Sequence, residues 1–184
     1  IALIKGLQRI VLTSHINPDG DSLGSEIGFA EWLISLGKEV RVFNHSPIPE
    51  NYKFLDNDRP IIEIFDAAKH EVSIHNADAF FLLDTNDPLR AKSLAPFISS
   101  HKNPILIDHH LEPKEFAKER FIDTEATSTG EMIYRLVRAA QKELGGSISA
   151  KGAQGLYVGI MTDTGSFRFP RTNTKASSQQ PCHL

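Results

Sequence analysis

Three short apolar runs in this chain each stop on an acidic or imidazole side chain: Arg9 to His15, Ala79 to Asp84 and Pro104 to Asp108. That repetition constrains the fold more than any other feature. The first run, rich in β-branched residues, reads as a buried strand that enters a loop at Asn17-Pro18-Asp19-Gly20. From Ser22 the apolar positions Leu23, Ile27, Ala30 or Trp32, and Ile34 return at helical spacing, and Gly37 stands where a C-cap glycine would end a helix. Glu39 to Asn44 reads as the next strand. Strand, helix, strand at these lengths is a βαβ unit, which builds parallel sheet through a right-handed crossover. A helix-capable stretch, Ala91 to Ser100, separates the second and third runs. The expected fold is α/β, a mostly parallel sheet flanked by helices on both faces. Polar residues then collect at the carboxyl ends of the strands, the edge where open sheets of this kind bind ligands.

Elsewhere the pattern is less decisive. Pro47, Pro49 and Pro60 mark a loop with one short helix near Tyr52, and Ile62 to Ala77 suits either strand or helix. Thr127 or Ser128 is placed to cap a helix from Gly130 to Leu144, and Ile148 to Met161 suits another, ending at Thr162-Asp163-Thr164-Gly165. A chain of 184 residues fits one sizeable core. With 20 Lys plus Arg against 23 Asp plus Glu there is no global basic field to attract nucleic acid, so an anionic ligand must be held locally. The single cysteine, Cys182, excludes a disulfide framework and a thiolate metal cluster, and fits a reducing, cytoplasmic setting. No run approaches the roughly 18 apolar residues that span a bilayer, and the start lacks a signal-peptide pattern, so a soluble protein with no membrane partner is expected. The chain opens on Ile1 rather than Met, and residues 176–184 form an irregular tail without helical or strand period; both ends read as edges of a longer chain.

The first polar cluster, His15 to Ser25, puts an imidazole and the carboxylates of Asp19 and Asp21 within seven residues. Such crowding is costly unless a cation neutralises it. Imidazole mixed with carboxylate suits Mn²⁺ or a similar divalent ion, and the lack of thiolate argues against structural zinc. The Pro-Asp-Gly portion alone serves equally well as an Asx turn ahead of a helix. Asp84 and Asp163, taken singly, are ordinary turn formers or helix caps. As a set with His109 they are different: four carboxylates and one or two imidazoles meeting at one place require bound cations.

The order of these motifs resembles the DHH family of phosphoesterases: H-x-x-P-D-x-D-x-x-G-S from His15, L-D-T at Leu83 to Thr85, Asp108-His109-His110, and the late aspartate of G-I-M-T-D-T-G. The resemblance spans His15 to about Thr174. The stretches L-D-T-N-D-P-L-R, A-T-S-T-G-E-M-I-Y and G-I-M-T-D-T-G-S-F-R-F look most like the branch of bacterial nano-RNases and 3′-phosphoadenosine 5′-phosphate phosphatases. The resemblance implies a catalytic domain over residues 1–175, followed in complete members by a second, smaller, substrate-clamping domain that this chain stops before. It implies two divalent ions, Mn²⁺ foremost with Mg²⁺ or Co²⁺ as substitutes. His15 and Asp19 would hold one, Asp21, His109 and Asp163 the other, and Asp84 would bridge them. Asp108 would orient a neighbouring imidazole, His110 would face the phosphate, and Arg90 and Arg168 would steady the substrate.

The expected reaction is hydrolysis of a short oligoribonucleotide or a nucleoside 3′,5′-bisphosphate by a hydroxide bridging the two ions. The same centre would suit an inorganic pyrophosphatase, an exopolyphosphatase or a cyclic-dinucleotide phosphodiesterase. The alternative outside enzymes is a metal- or nucleotide-binding module that is inactive without its second domain. A processive exonuclease is disfavoured, because no basic and aromatic platform is evident. The expected partner is a small phosphorylated molecule; a homodimer is compatible with the sequence, which offers no argument for one.

Overall fold

Each apolar run takes its place in one wholly parallel sheet of six strands. The computed structural model describes residues 1–169. After a short helix α1 (Ala2–Gly6) come β1 (Arg9–Thr13), α2 (Gly20–Ser35), β2 (Glu39–Asn44), a 3₁₀ turn (Glu50–Leu55), β3 (Ile62–Ile64), α3 (Ala67–Asn76) and β4 (Ala79–Leu83). A second 3₁₀ segment (Pro88–Leu94), α4 (Ala95–Ser100), β5 (Pro104–Asp108), β6 (Glu119–Ile122), α5 (Thr129–Leu144) and α6 (Ala150–Asp163) follow. The strand order is β3-β2-β1-β4-β5-β6. Leu12 of β1 lies opposite Val42 of β2 on one side and Phe81 of β4 on the other. The direction of winding therefore reverses between β1 and β4, and the loops leaving these two strands diverge to open a crevice at their carboxyl ends.

Alternate residues of each strand feed two cores. Leu12, Phe81, Leu83, Ile105 and Ile107 pack with Phe29, Trp32, Ile133, Val137 and Leu156 from α2, α5 and α6. Val11, Phe43, Phe80 and Leu82 point the other way, against Ile74 of α3 and Ala91, Leu94 and Ile98 around α4. Helices on both faces match the expectation.

Several elements differ from the sequence reading. The helix-capable stretch 91–100 is broken by Lys92 at φ +53, with α4 starting afresh around Pro96, whose missing N–H is tolerated in a first turn. The ambiguous stretch 62–77 splits into β3 and α3, the latter capped by Asp66, which accepts from the Ala68 N–H at 3.0 Å. Strand β6 was not anticipated: it is the sheet edge and three of its four residues are exposed, so no apolar run betrays it. Ser128, not Thr127, caps α5, and Ser149 caps α6. Residues 176–184, with Cys182, lie outside the described residues.

One packing feature positions everything that follows. Helices α2 and α6 run antiparallel in very close contact: Gly20 faces Thr162, Gly24 faces Gly155, and Gly152 faces Glu31. A Cβ on Gly24 would fall 2.1 Å from the Gly155 carbonyl oxygen, so only hydrogen fits there. The start of α2 and the end of α6 thereby meet at the carboxyl edge of the sheet.

Candidate metal centre

The loops after β1, β4 and β5, together with the facing ends of α2, α5 and α6, bring all six sequence-derived ligand candidates to the crevice. Asp84 directly follows β4 and takes the left-handed backbone conformation (φ +58), which non-glycine residues adopt rarely and mostly where structure around them enforces it. Its N–H donates to the Ile107 carbonyl at 3.1 Å, pinning the backbone to β5 while the buried carboxylate turns into the crevice. There Asp84 Oδ2 lies 3.5 Å from His15 Nε2, and Oδ1 lies 3.7 Å from His109 Nε2. One carboxylate thus offers one oxygen to each imidazole.

The remaining groups sort to either side of it. Asp19 caps α2, its Oδ1 accepting from the Asp21 and Ser22 N–H groups at 3.1 and 3.0 Å, and its Oδ2 lies 3.9 Å from His15 Nε2. His15 Nδ1 lies 2.9 Å from the Ile16 carbonyl; with the proton assigned there, Nε2 presents its lone pair to the crevice. On the other side His109 Nε2 stands 3.2 Å from Asp163 Oδ2 and 3.9 Å from Asp21 Oδ2. The donor atoms of His15, Asp19 and Asp84 all lie within 4.8 Å of one another, and so do those of Asp21, His109 and Asp163. Asp108 is fully buried and accepts from His110 Nδ1 at 2.7 Å, leaving the His110 ring 45% exposed at the crevice mouth. Arg90, in the 3₁₀ segment, and Arg168, after α6, are exposed, and no hydrogen bond or ion pair joins either side chain to the cluster.

The charges are uncomfortable as they stand. Burial, then the charges of Asp84 and Asp163, push the Asp21 carboxyl well above the usual range. Burial, then Asp19 and Asp163, do the same to Asp84. Burial alone would lower the His109 pKa, but Asp163, Asp21 and Asp108 outweigh it and raise it. Among the described residues His109 Nε2 is also buried with no hydrogen-bond partner, its contact with Asp163 lacking hydrogen-bond geometry. An orphaned ring nitrogen amid crowded carboxylates, with oxygen and imidazole donors and no thiolate among the described residues, fits divalent cations of the Mn²⁺ or Mg²⁺ kind.

Sequence reasoning missed the residues that hold this cluster in place. Asp21 is clamped by α5: Oδ2 accepts from the Thr129 N–H at 2.7 Å and Oδ1 from the Gly130 N–H at 2.8 Å. A Cβ on Gly159 would stand 2.8 Å from Asp21 Oδ1, so that glycine makes room for the carboxylate. Behind His15, the buried Glu26 accepts from Asn44 Nδ2 at 2.8 Å, and Asn44 Oδ1 accepts from the Ser14 N–H and the Thr13 hydroxyl, both at 3.3 Å. The hydrogen-bonded partners are 18 to 109 residues apart and Gly159 lies farther still from Asp21, so no local pattern announces them.

Glu26 has a measurable consequence. Burial pushes its pKa up to about 7, against 4.5 for an ordinary glutamate, even though the Asn44 bond favours the charged form. A carboxyl raised on folding stabilises the fold fully below its unfolded pKa, and that contribution is lost as pH rises through the folded value. Glu26→Gln is therefore expected to flatten the decline in stability between about pH 4.5 and 7, gaining roughly 3 kcal/mol relative to the parent at the upper end. Urea unfolding of both proteins in chelator across that range checks it; parallel pH curves would contradict it.

A cavity of about 650 Å³ lies away from the cluster, between the Pro-rich loop and the start of α6, lined by Phe54, Arg59, Lys151 and Tyr157. Its cations are already paired, Arg59 with Glu31 and Lys151 with Asp56.

An imidazole–carboxylate cluster at the switch point of an open parallel sheet places this chain among α/β proteins fitted to hold cations at that edge. The sequence model described as the DHH family, N-terminal domain, matches residues 9–160, and the chain belongs to that family. It is similar to the bifunctional oligoribonuclease and PAP phosphatase NrnA of Bacillus subtilis (strain 168), at 31% identity over 176 residues covering 95% of this chain and 52% of the relative. The crystal structure of an exopolyphosphatase-related protein from Bacteroides fragilis matches with a TM-score of 0.87 and 30% identity, over 97% of this chain and 54% of that one. A putative family II inorganic pyrophosphatase from Methanococcus jannaschii shares the fold, with a TM-score of 0.66 and 22% identity over 93% of this chain and 54% of that one. The chain spans about half the length of the curated relatives it matches. No helix among the described residues is long and apolar enough to cross a membrane.

Proposed function

We propose that this domain hydrolyses phosphoester bonds in small nucleotide substrates, short oligoribonucleotides or nucleoside 3′,5′-bisphosphates, with a pair of divalent ions, Mn²⁺ foremost. The observation that carries the reading is Asp84, whose two oxygens face two different imidazoles. His15 and Asp19 would hold one ion, and Asp21, His109 and Asp163 the other, with Asp84 shared. Bound there, two such ions neutralise the carboxylates and the substrate phosphate and lower the pKa of an attacking water toward neutrality. The chain's own residues do the rest. Asp108 fixes the His110 ring through Nδ1, leaving Nε2 for the open side, where the doubly protonated ring can donate to a phosphoryl or leaving oxygen and the neutral ring can only accept. Arg90 and Arg168, exposed beside the motifs, supply cations that can swing onto a substrate phosphate.

The nucleotide reading is favoured by the B. subtilis relative, named for an oligoribonuclease and PAP phosphatase activity and similar over nearly the whole chain. Pyrophosphate or polyphosphate hydrolysis uses the same kind of centre and is the second reading, favoured by the name of the B. fragilis protein. The test is a Mn²⁺ titration of the metal-free chain with metal counting, followed by turnover of a dinucleotide, adenosine 3′,5′-bisphosphate and inorganic pyrophosphate. About two ions per chain and preference for the first two substrates are expected. Preference for pyrophosphate would favour the second reading, and a chain that takes up no tightly held metal would overturn both.

A further inference from the structure

Thr129, the first residue of α5, touches the two buried carboxylates among the ligand candidates, Asp21 and Asp84. It is itself fully buried. Its hydroxyl donates to Asp84 Oδ1 at 3.0 Å, and its backbone N–H donates to Asp21 Oδ2 at 2.7 Å. The hydroxyl is not needed to start the helix, because Ser128 does that: Ser128 Oγ accepts from the Glu131 N–H at 2.9 Å, and Thr127 is separately tied to Glu131 through its N–H and hydroxyl, both at 2.8 Å. Among the described residues the Thr129 hydroxyl bonds one partner, the oxygen of Asp84 that faces His109.

A carboxylate can rotate about its last side-chain bond, and this rotation decides whether its two oxygens face two ions or both face one. A hydrogen bond to one oxygen, from a donor fixed on a helix end, stops that rotation. We infer that Thr129 is a positioning residue: it locks the Asp84 carboxylate in the orientation that presents Oδ2 to the His15 side and Oδ1 to the His109 side. The inference rests on the binuclear reading above and adds to it the residue that makes sharing obligatory. The backbone N–H of the same residue holds Asp21, so one helix start fixes both the shared carboxylate and a ligand of the second position.

The experiment compares the parent with Thr129→Val, which keeps the shape and loses the hydroxyl, and Thr129→Ser, which keeps the hydroxyl. The 184-residue chain is stripped of metal and titrated with Mn²⁺, and the loaded proteins are examined by low-temperature electron paramagnetic resonance. The parent should bind two ions and give the spectrum of an exchange-coupled pair. Thr129→Val should bind its second ion at least about tenfold more weakly and give the signal of isolated Mn²⁺, whereas Thr129→Ser should restore the coupled spectrum. If circular dichroism shows the Val variant unfolded in chelator, Thr129→Ala makes the same deletion without burying a methyl against a polar oxygen. A hydroxyl-free variant that binds the pair with parental affinity and spectrum overturns the inference, as does a Ser variant as impaired as Val. A parent that binds no pair overturns the binuclear reading and the inference with it, so the two failures are told apart.

Discussion

Asp84→Asn is expected to lower turnover by roughly three orders of magnitude, equivalent to about 4 kcal/mol at the transition state, while leaving the metal-free protein at least as stable as the parent. The two halves of this expectation come from the same geometry. Asp84 is the group whose oxygens face both imidazoles, so an amide there replaces one charged donor with a weak, neutral one and supplies a nitrogen that cannot ligate. The paired ions should be lost or reduced to one. In the absence of metal, however, the Asp84 carboxyl is buried beside Asp19 and Asp163 and pushed well above its ordinary pKa. Removing that charge relieves both desolvation and repulsion. A thermal melt in chelator, a metal count and a rate at saturating Mn²⁺, all on the same preparation, check the pair of effects. Near-parental turnover would remove Asp84 from the bridging role, and a collapsed melting temperature would mean that the residue is structural.

Gly24→Ala is expected to destabilise the protein by on the order of 4 kcal/mol, above the usual range for an added methyl in a core. The excess follows from what the methyl meets. Most overpacked sites relax by turning a neighbouring side chain, but here the neighbour is the Gly155 carbonyl oxygen, 2.1 Å away, and the Gly159 amide nitrogen, 3.0 Å away. Helix α6 as a whole must move, and Asp163 at its end moves with it. The variant should lose metal affinity as well as stability, although Gly24 touches no ligand. Chemical unfolding with and without Mn²⁺ separates the two losses, and an effect below about 1 kcal/mol would show that the helices part easily.

The fold was legible where burial is continuous and the element is long. Strands β1, β4 and β5 are apolar runs fenced by Gly, Pro, Asn or Asp, β2 follows α2 as the second strand of a βαβ unit, and α2 carries a capping aspartate and a terminal glycine. β6 was not, because an edge strand with three exposed residues has no apolar period, and α1 and β3 are too short to have one. Within the site, the ligand candidates stand out only as a set: each aspartate alone is an ordinary turn former or helix cap, and it is their joint order with the histidines along the chain that marks them. Thr129, Gly130, Gly159 and Glu26 do not stand out, because glutamate is common in helices and a threonine or glycine near a helix start or a glycine within one does not by itself say what it faces. Their work is defined by partners far along the chain, and only the folded arrangement shows it.

The antiparallel seating of α2 on α6 also sets an order of events during synthesis. Asp21 and Asp163 are 142 residues apart in the chain, and the helix that carries Asp163 is among the last described elements to be made. At ordinary translation speeds of about 5–20 residues per second, roughly ten seconds separate the first acidic ligand candidate from the last. Throughout that interval the glycine face of α2 lacks its neighbour, and although Asp84 and His109 are made along the way, the crevice lacks Asp163 until the end. If the proposed cation pair binds at this crevice, its full set of ligand candidates exists only once α6 has been made.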